Sequence, residues 1–342
     1  MLISQVRETL KQYKEEDLRL LLAEIYKSIP KKIREDKDID DMINDLHAYK
    51  SIGKNAREAD GKKGIEEIKP KIELFIDYAY EGYYFAPNKN IHKKERPKWR
   101  FQVKAFIKDL ESIPAIGKEG REATNLLRRI YEMLCYACHT YLFNSDNPFR
   151  AVGIQQSALL EKVISRMLEG GVSDECIKSA IELFINNDIY RGELDLELVI
   201  TVANQMKTTD AKEIAISQCK LIKKELIAGQ AKGSKKTSHT YYGDDKFRMT
   251  EKRNNLTKLI FMIYLNLYEN EKAIKYFQSN YIERDKERTQ AFLLHYLMQC
   301  ECMPDWIKEY EQGLEKGMEF KESYQREYQY IMENQSFSGT WL

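Results

Sequence analysis

Cys135-Tyr136-Ala137-Cys138-His139 has the CxxCH spacing in which two thiols fix a haem covalently and the histidine supplies an axial ligand. The same side chains could give a zinc ion three of its four ligands, with Cys300 or Cys302 completing the set. A plainer reading competes with both. The motif falls in a run with apolar residues three and four positions apart, Leu126, Ile130, Met133, Leu134, Ala137 and Tyr141, where a thiol behaves as a small hydrophobe. The expectation is no metal and no cofactor, Cys135 and Cys138 reduced beside a core stripe, and His139 on a polar edge. The other histidines, at 47, 92, 239 and 295, stand singly, and spacing assembles no nucleophile, base and orienting group. An enzyme is therefore the third choice among function classes.

The strongest signal outside core-like patterns runs from Lys89 to Lys104. Lys89, Lys93, Lys94, Arg96, Lys98, Arg100 and Lys104 face one acid, Glu95, and enclose Trp99 and Phe101. Cations interleaved with aromatics suit a phosphate backbone with stacked bases, or an acidic protein partner. Alternatively, this is a solvated stretch whose Trp99 and Phe101 open the buried face of the next helix. A second basic stretch, Lys232, Lys235, Lys236, Lys246, Arg248, Lys252 and Arg253, is interrupted by His239, Tyr241 and Tyr242. From Glu301 onward nine acids face four bases. The chain is polarised although its net charge is only +1, so any affinity for phosphate must be local. The candidate macromolecule-binding residues are Lys93, Lys94, Arg96, Lys98, Trp99, Arg100, Lys235, Lys236 and Arg248.

Other motifs are incomplete. Gly117-Lys118-Glu119-Gly120 resembles the GxxG loop of KH domains, whose glycines let backbone approach a phosphate, but the apolar period running on through Tyr141 is too long for that fold. An αα-turn stopped by Gly117 accounts for the same residues. Asp36-Lys37-Asp38-Ile39-Asp40-Asp41 resembles the opening of an EF-hand loop, yet Asp41 stands where glycine is needed and His47 where a bidentate glutamate is needed. Asp60-Gly61-Lys62-Lys63-Gly64 lacks the trailing Lys-Ser/Thr of a P-loop. The terminal Thr340-Trp341-Leu342 resembles a PDZ ligand, though Trp341 docking on the last helices explains it as well.

The elements that must position these residues read as helices almost throughout. Stretches of helical period are separated by brief punctuation such as Ser28-Ile29-Pro30, Ile113-Pro114, Glu169-Gly170-Gly171 and Met303-Pro304. Ser173 before Asp174 and Glu175, and Thr209 with Asp210, offer helix starts. Strand-like alternation is confined to the neighbourhood of Tyr241-Tyr242. With 16 Gly and 7 Pro in 342 residues, the chain lacks the turns that an all-β fold needs. One pair resembles a tetratricopeptide repeat: Ile260, Tyr264, Ala273 and Phe277 around a Leu267–Asn270 turn. It departs at Phe261, Asn280 and Asp285, where such repeats carry a small residue, Ala and Pro.

The fold class expected is all-α: helical hairpins stacked as an irregular α-solenoid or superhelical bundle, TPR/HEAT-like in general character. The expected organisation is an N-terminal helical unit over 1–85, a basic linker over 86–97, helical pairs over 98–228, an exposed loop over 229–247, further pairs over 248–335 and a tail over 336–342. No apolar run suits a membrane span and no signal-like start is seen, so a cytoplasmic protein with reduced cysteines is expected. The function expected is a non-enzymatic scaffold binding a macromolecule on an extended surface, with a protein as the favoured partner and nucleic acid as the alternative.

Overall fold

The computed structural model describes residues 9–30, 34, 39–44, 64–187, 195–231 and 242–339. Every regular element among them is helical. The contacts form two compact units, Met1–Lys63 and Gly64–Leu342. The 86–97 segment therefore lies inside the second unit.

In the first unit, α1 (Glu15–Ser28) opens on Glu15, Glu16 and Asp17, which suit the positive end of the helix dipole, and ends on Lys27 at the negative end. A shorter helix, α2 (Ile39–Asn44), is tied back to it where the Tyr26 hydroxyl donates to Asp40 at 2.6 Å. No residue of α1 is buried.

The second unit begins with α3 (Ile65–Tyr80), α4 (Trp99–Glu111) and α5 (Gly117–Ala137). The α5 stripe Ala123, Leu126, Leu127, Ile130, Tyr131, Met133 and Leu134 is wholly buried, as its three-and-four spacing requires. Two ion pairs, Lys69–Glu122 and Arg129–Glu73, cross from α3 to α5. The glycines of the GxxG sequence have structural duties. Gly117 adopts φ +88°, and a Cβ on Gly120 would collide with the Pro114 and Ala115 carbonyls, so glycine there lets α5 start tight against its own turn.

Beyond a short helix α6 (Pro148–Val152) come α7 (Gln156–Glu169), α8 (Asp174–Asn186), α9 (Glu197–Gln205) and α10 (Thr209–Ala231). The Ser173 hydroxyl caps α8 by accepting the Cys176 N–H. For α10 the cap is Thr208, one residue before the expected Thr209, accepting from Ala211 at 3.1 Å. The chain finishes with α11 (Tyr242–Leu265), α12 (Asn270–Asn280), α13 (Lys286–Gln299), α14 (Met303–Glu315) and α15 (Glu322–Asn334). Tyr242 opens a helix, not a strand; Tyr241 lies outside the described residues.

Many successive helices pack together, among them α4 on α5, α10 on α11, α11 on α12 and α13 on α14, and several alternate helices also touch: α3 on α5, α5 on α7, α7 on α9, α9 on α11, and α8 on α10. Contact between alternate helices, seen from α3 to α11, is what stacking of hairpins produces. The α11–α12 pair carries the tetratricopeptide-like residues: Ile260, Ala273 and Phe277 are fully buried, and Phe261 meets Phe277 edge-on at 5.4 Å. Two departures from that pattern serve local needs. Asp285 caps α13, and the Asn280 carbonyl and side-chain oxygen accept bonds from Lys223. Past α15, Gln335 takes a left-handed turn and Phe337 packs edge-on against Trp306 at 6.1 Å. The buried Glu327 carboxylate accepts the Ser338 N–H and hydroxyl, holding the tail in place.

Candidate functional site

The residues of the first basic segment do not act alike. Asn88 organises the loop: its amide donates to the Tyr83 and Ala86 carbonyls, and its Oδ1 accepts from the Asn90 and Ile91 N–H groups. Arg96 is turned into that loop, donating to the Ile91 carbonyl at 3.2 Å and the Asn88 carbonyl at 3.4 Å. Lys98 pairs with Glu95 at 2.8 Å. Trp99 is 4% exposed, its indole lying parallel to Phe143 with centroids 3.9 Å apart. It fills the buried start of α4 and offers no face to a base. Phe101 is 61% exposed with the Arg100 guanidinium 4.9 Å above its ring, so the aromatic surface here belongs to Phe101. Lys93, Lys94 and Arg100 are exposed.

Of the second stretch, Lys235 and Lys236 lie outside the described residues, and Arg248 is exposed on α11. A sequence scan missed Lys223 of α10, hidden within an ordinary Lys/Glu helix face. Lys223 is 8% exposed and donates to the Thr257 hydroxyl at 2.9 Å and to Asn280 Oδ1 at 3.2 Å. Burial, with Arg253 nearby, pushes its amine down to about 8. Lys252 on α11 donates to Asn186 at 2.6 Å and is likewise pushed down by burial, with Arg248 adding to the effect. Both amines are held by neutral oxygens rather than by carboxylates.

The CxxCH residues straddle the C-terminal end of α5. Cys135 is 3% exposed, its thiol facing the Gln156 amide and pushed up by burial; Cys138 bonds the Leu134 carbonyl; His139 is exposed. Among the described residues no three His, Cys, Asp or Glu side chains are placed to share a metal. The EF-hand-like residues 36–38 and His47, and Trp341 of the tail, lie outside the described residues.

Among the described residues, α1 leaves an apolar stripe open. Leu21, Leu22 and Ile25 are 37%, 56% and 49% exposed, Leu20 is 67% exposed, and Leu18 stands one turn earlier on the same stripe. Positions 18, 21, 22 and 25 follow the i, i+3, i+4, i+7 rule by which a helix lays one face into a groove. Composition gave no hint of this, because the same spacing marks helices that are buried within a core.

No known protein family, curated protein or solved structure matches the chain. No described helix is long and apolar enough to cross a membrane.

Proposed function

We propose that the chain is a non-enzymatic helical scaffold that binds a protein partner, working in the cytoplasm with its cysteines reduced. The observation that carries this reading is α1, a 14-residue helix with an apolar stripe and no buried residue. Covering what is still exposed of this apolar stripe contributes about 0.5 to 2 kcal/mol per side chain, and only another apolar surface collects that gain. The charge polarity of α1 specifies the partner's chemistry. A helical surface with basic groups opposite Glu15, Glu16 and Asp17 and acidic groups opposite Lys27 completes the rim; a second α1 running antiparallel is one such surface. The stacked hairpins of the second unit then serve as the body to which the partner is brought.

Nucleic acid is the second reading, favoured by exposed Lys93, Lys94, Arg100 and Phe101 and by exposed Arg248 on α11. The loss of Trp99 to the core weakens it.

A photo-crosslinking amino acid at position 21 of the full chain, activated in the cells that make it, distinguishes the two. The reading expects a discrete protein adduct, lost when Leu22 and Ile25 become Asp. No adduct at position 21, together with oligonucleotide adducts at position 101, would overturn it.

A further inference from the structure

Met298-Gln299-Cys300-Glu301-Cys302-Met303 joins α13 to α14 and places four sulfur side chains within six residues. The turn is rigidly made. Glu301 takes the left-handed conformation at φ +56°, its N–H bonds the Met298 carbonyl at 3.0 Å, and the Cys302 N–H bonds the Leu297 carbonyl at 2.9 Å, the double closure of a Schellman motif. A non-glycine residue there stores strain, and the two cysteines flank it. A fifth sulfur arrives from α11: Met262 Sδ lies 3.9 Å from Cys300 Sγ. Cys302 Sγ sits against the Cys300 carbonyl at 3.5 Å. Met298, Glu301 and Met303 line a cavity of about 530 Å³ beside the turn, together with Phe337 of the docked tail. Both cysteines are half-buried.

Two thiols and a thioether form a soft donor set. Thioethers and thiolates together select monovalent copper, whereas zinc takes thiolate, imidazole and carboxylate. The Met262–Cys300 separation suits a small ion, and Cys302 follows in the same turn. With metal–sulfur bonds of about 2.3 Å, a trigonal ion holds its sulfurs about 4.0 Å apart, close to the Met262–Cys300 separation. No third His, Cys, Asp or Glu joins the pair among the described residues, so a hard or borderline ion finds no complete set.

We propose that Cys300, Cys302 and Met262 bind one Cu(I) ion, with Met298 and Met303 screening it from water. Each coordinating thiol gives up its proton to solvent, so a +1 ion between two thiolates leaves a site of charge −1. Copper stays monovalent, and no oxidant or reductant is involved. The site is independent of the α1 docking reading, and either can fail alone.

The test is an anaerobic titration of the reduced full chain with Cu(I) against a coloured chelator, followed by X-ray absorption at the copper edge. One equivalent should be withdrawn from the chelator, with sulfur-only scattering at about 2.3 Å. Cys300→Ser and Cys302→Ser should each lose binding at least 100-fold, and Met262→Leu, which keeps the volume, about tenfold. Cys135→Ser should bind as the parent does. Circular dichroism of each variant confirms the fold, and in any variant that fails to fold, the copper-edge spectrum of the parent decides. Failure to compete with the chelator, unchanged uptake by the Cys300/Cys302 double variant, or nitrogen and oxygen scattering in the parent would each overturn the proposal.

Discussion

Replacing Trp99 by Ala separates a buried indole from a surface one by its effect on stability. A large aromatic side chain buries roughly 150 to 250 Å², and at about 25 cal/mol per Å² the transfer of Trp99 out of water contributes about 5 kcal/mol. Its parallel contact with Phe143 at 3.9 Å adds about 1 kcal/mol. Partial collapse of the site recovers some of this, and aromatic-to-Ala changes in cores cost about 3 to 5 kcal/mol. Phe143 also touches Phe75 and Tyr84, so the hole would open at the junction of α3, α4 and the loop after α5 and loosen all three. The assay is urea unfolding followed by far-ultraviolet circular dichroism, with a thermal scan beside it. The variant should lose about 3 to 5 kcal/mol and melt roughly 6 to 15 °C lower. Trp99→Phe, which keeps a ring on Phe143, should lose less than half as much. A Trp99→Ala variant within 1 kcal/mol of the parent would falsify the burial.

Three further outcomes are expected. Gly120→Ala should destabilise by about 1 to 3 kcal/mol because its Cβ meets the Pro114 and Ala115 carbonyls, while Gly229→Ala, in open space in the last turn of α10, should be neutral or stabilise by up to about 0.5 kcal/mol; denaturant midpoints that moved together would contradict this. The Lys223 amine is pushed below its usual 10.5 to about 8, so between those values the folded chain holds fewer protons than the unfolded one and stability rises with pH. Subtracting the Lys223→Met curve from that of the parent should leave a difference flat below pH 8 and rising from 8 to 10.5; a flat or falling difference there refutes the buried amine. Burial raises the Cys135 and Cys219 thiols, so iodoacetamide at pH 8 should label neither at an appreciable rate until urea is added, and rapid native labelling would place them at the surface.

Much of the architecture was legible because helical period is a local property. The α5 stripe and the Ser173 cap follow directly from residue types, and the structure places both where the spacing puts them. Small shifts have local causes: Thr208 outcompetes Thr209 as a cap because its hydroxyl, one residue further back, reaches the Ala211 N–H. The surface was less legible. Trp99 reads equally well as a stacking platform and as a core residue, and only Phe143, 44 positions on, decides between them. Arg96 looks like its neighbours in sequence, yet carbonyls of its own loop claim it. Lys223 is concealed by a charged helix face, and its burial depends on Thr257 and Asn280 from two other helices. The α1 stripe has the spacing of a core helix, and its exposure is a tertiary fact that periodicity does not contain.

The docking role of α1 is tested most directly by measuring the affinity of the crosslinked partner, once identified, for three versions of the full chain at two salt concentrations. Removing Leu21 and Leu22 together takes away two partly exposed apolar anchors, about 1 to 3 kcal/mol, so Leu21→Ala/Leu22→Ala should weaken binding roughly 5- to 150-fold. Lys93→Ser/Lys94→Ser/Arg100→Ser should change it less than threefold, and affinity should fall only severalfold between the two salt concentrations, as the charged rim of α1 implies. An intact affinity in the leucine variant, with steep salt dependence and a large loss in the cation variant, would contradict the account and move the binding surface to the basic segment.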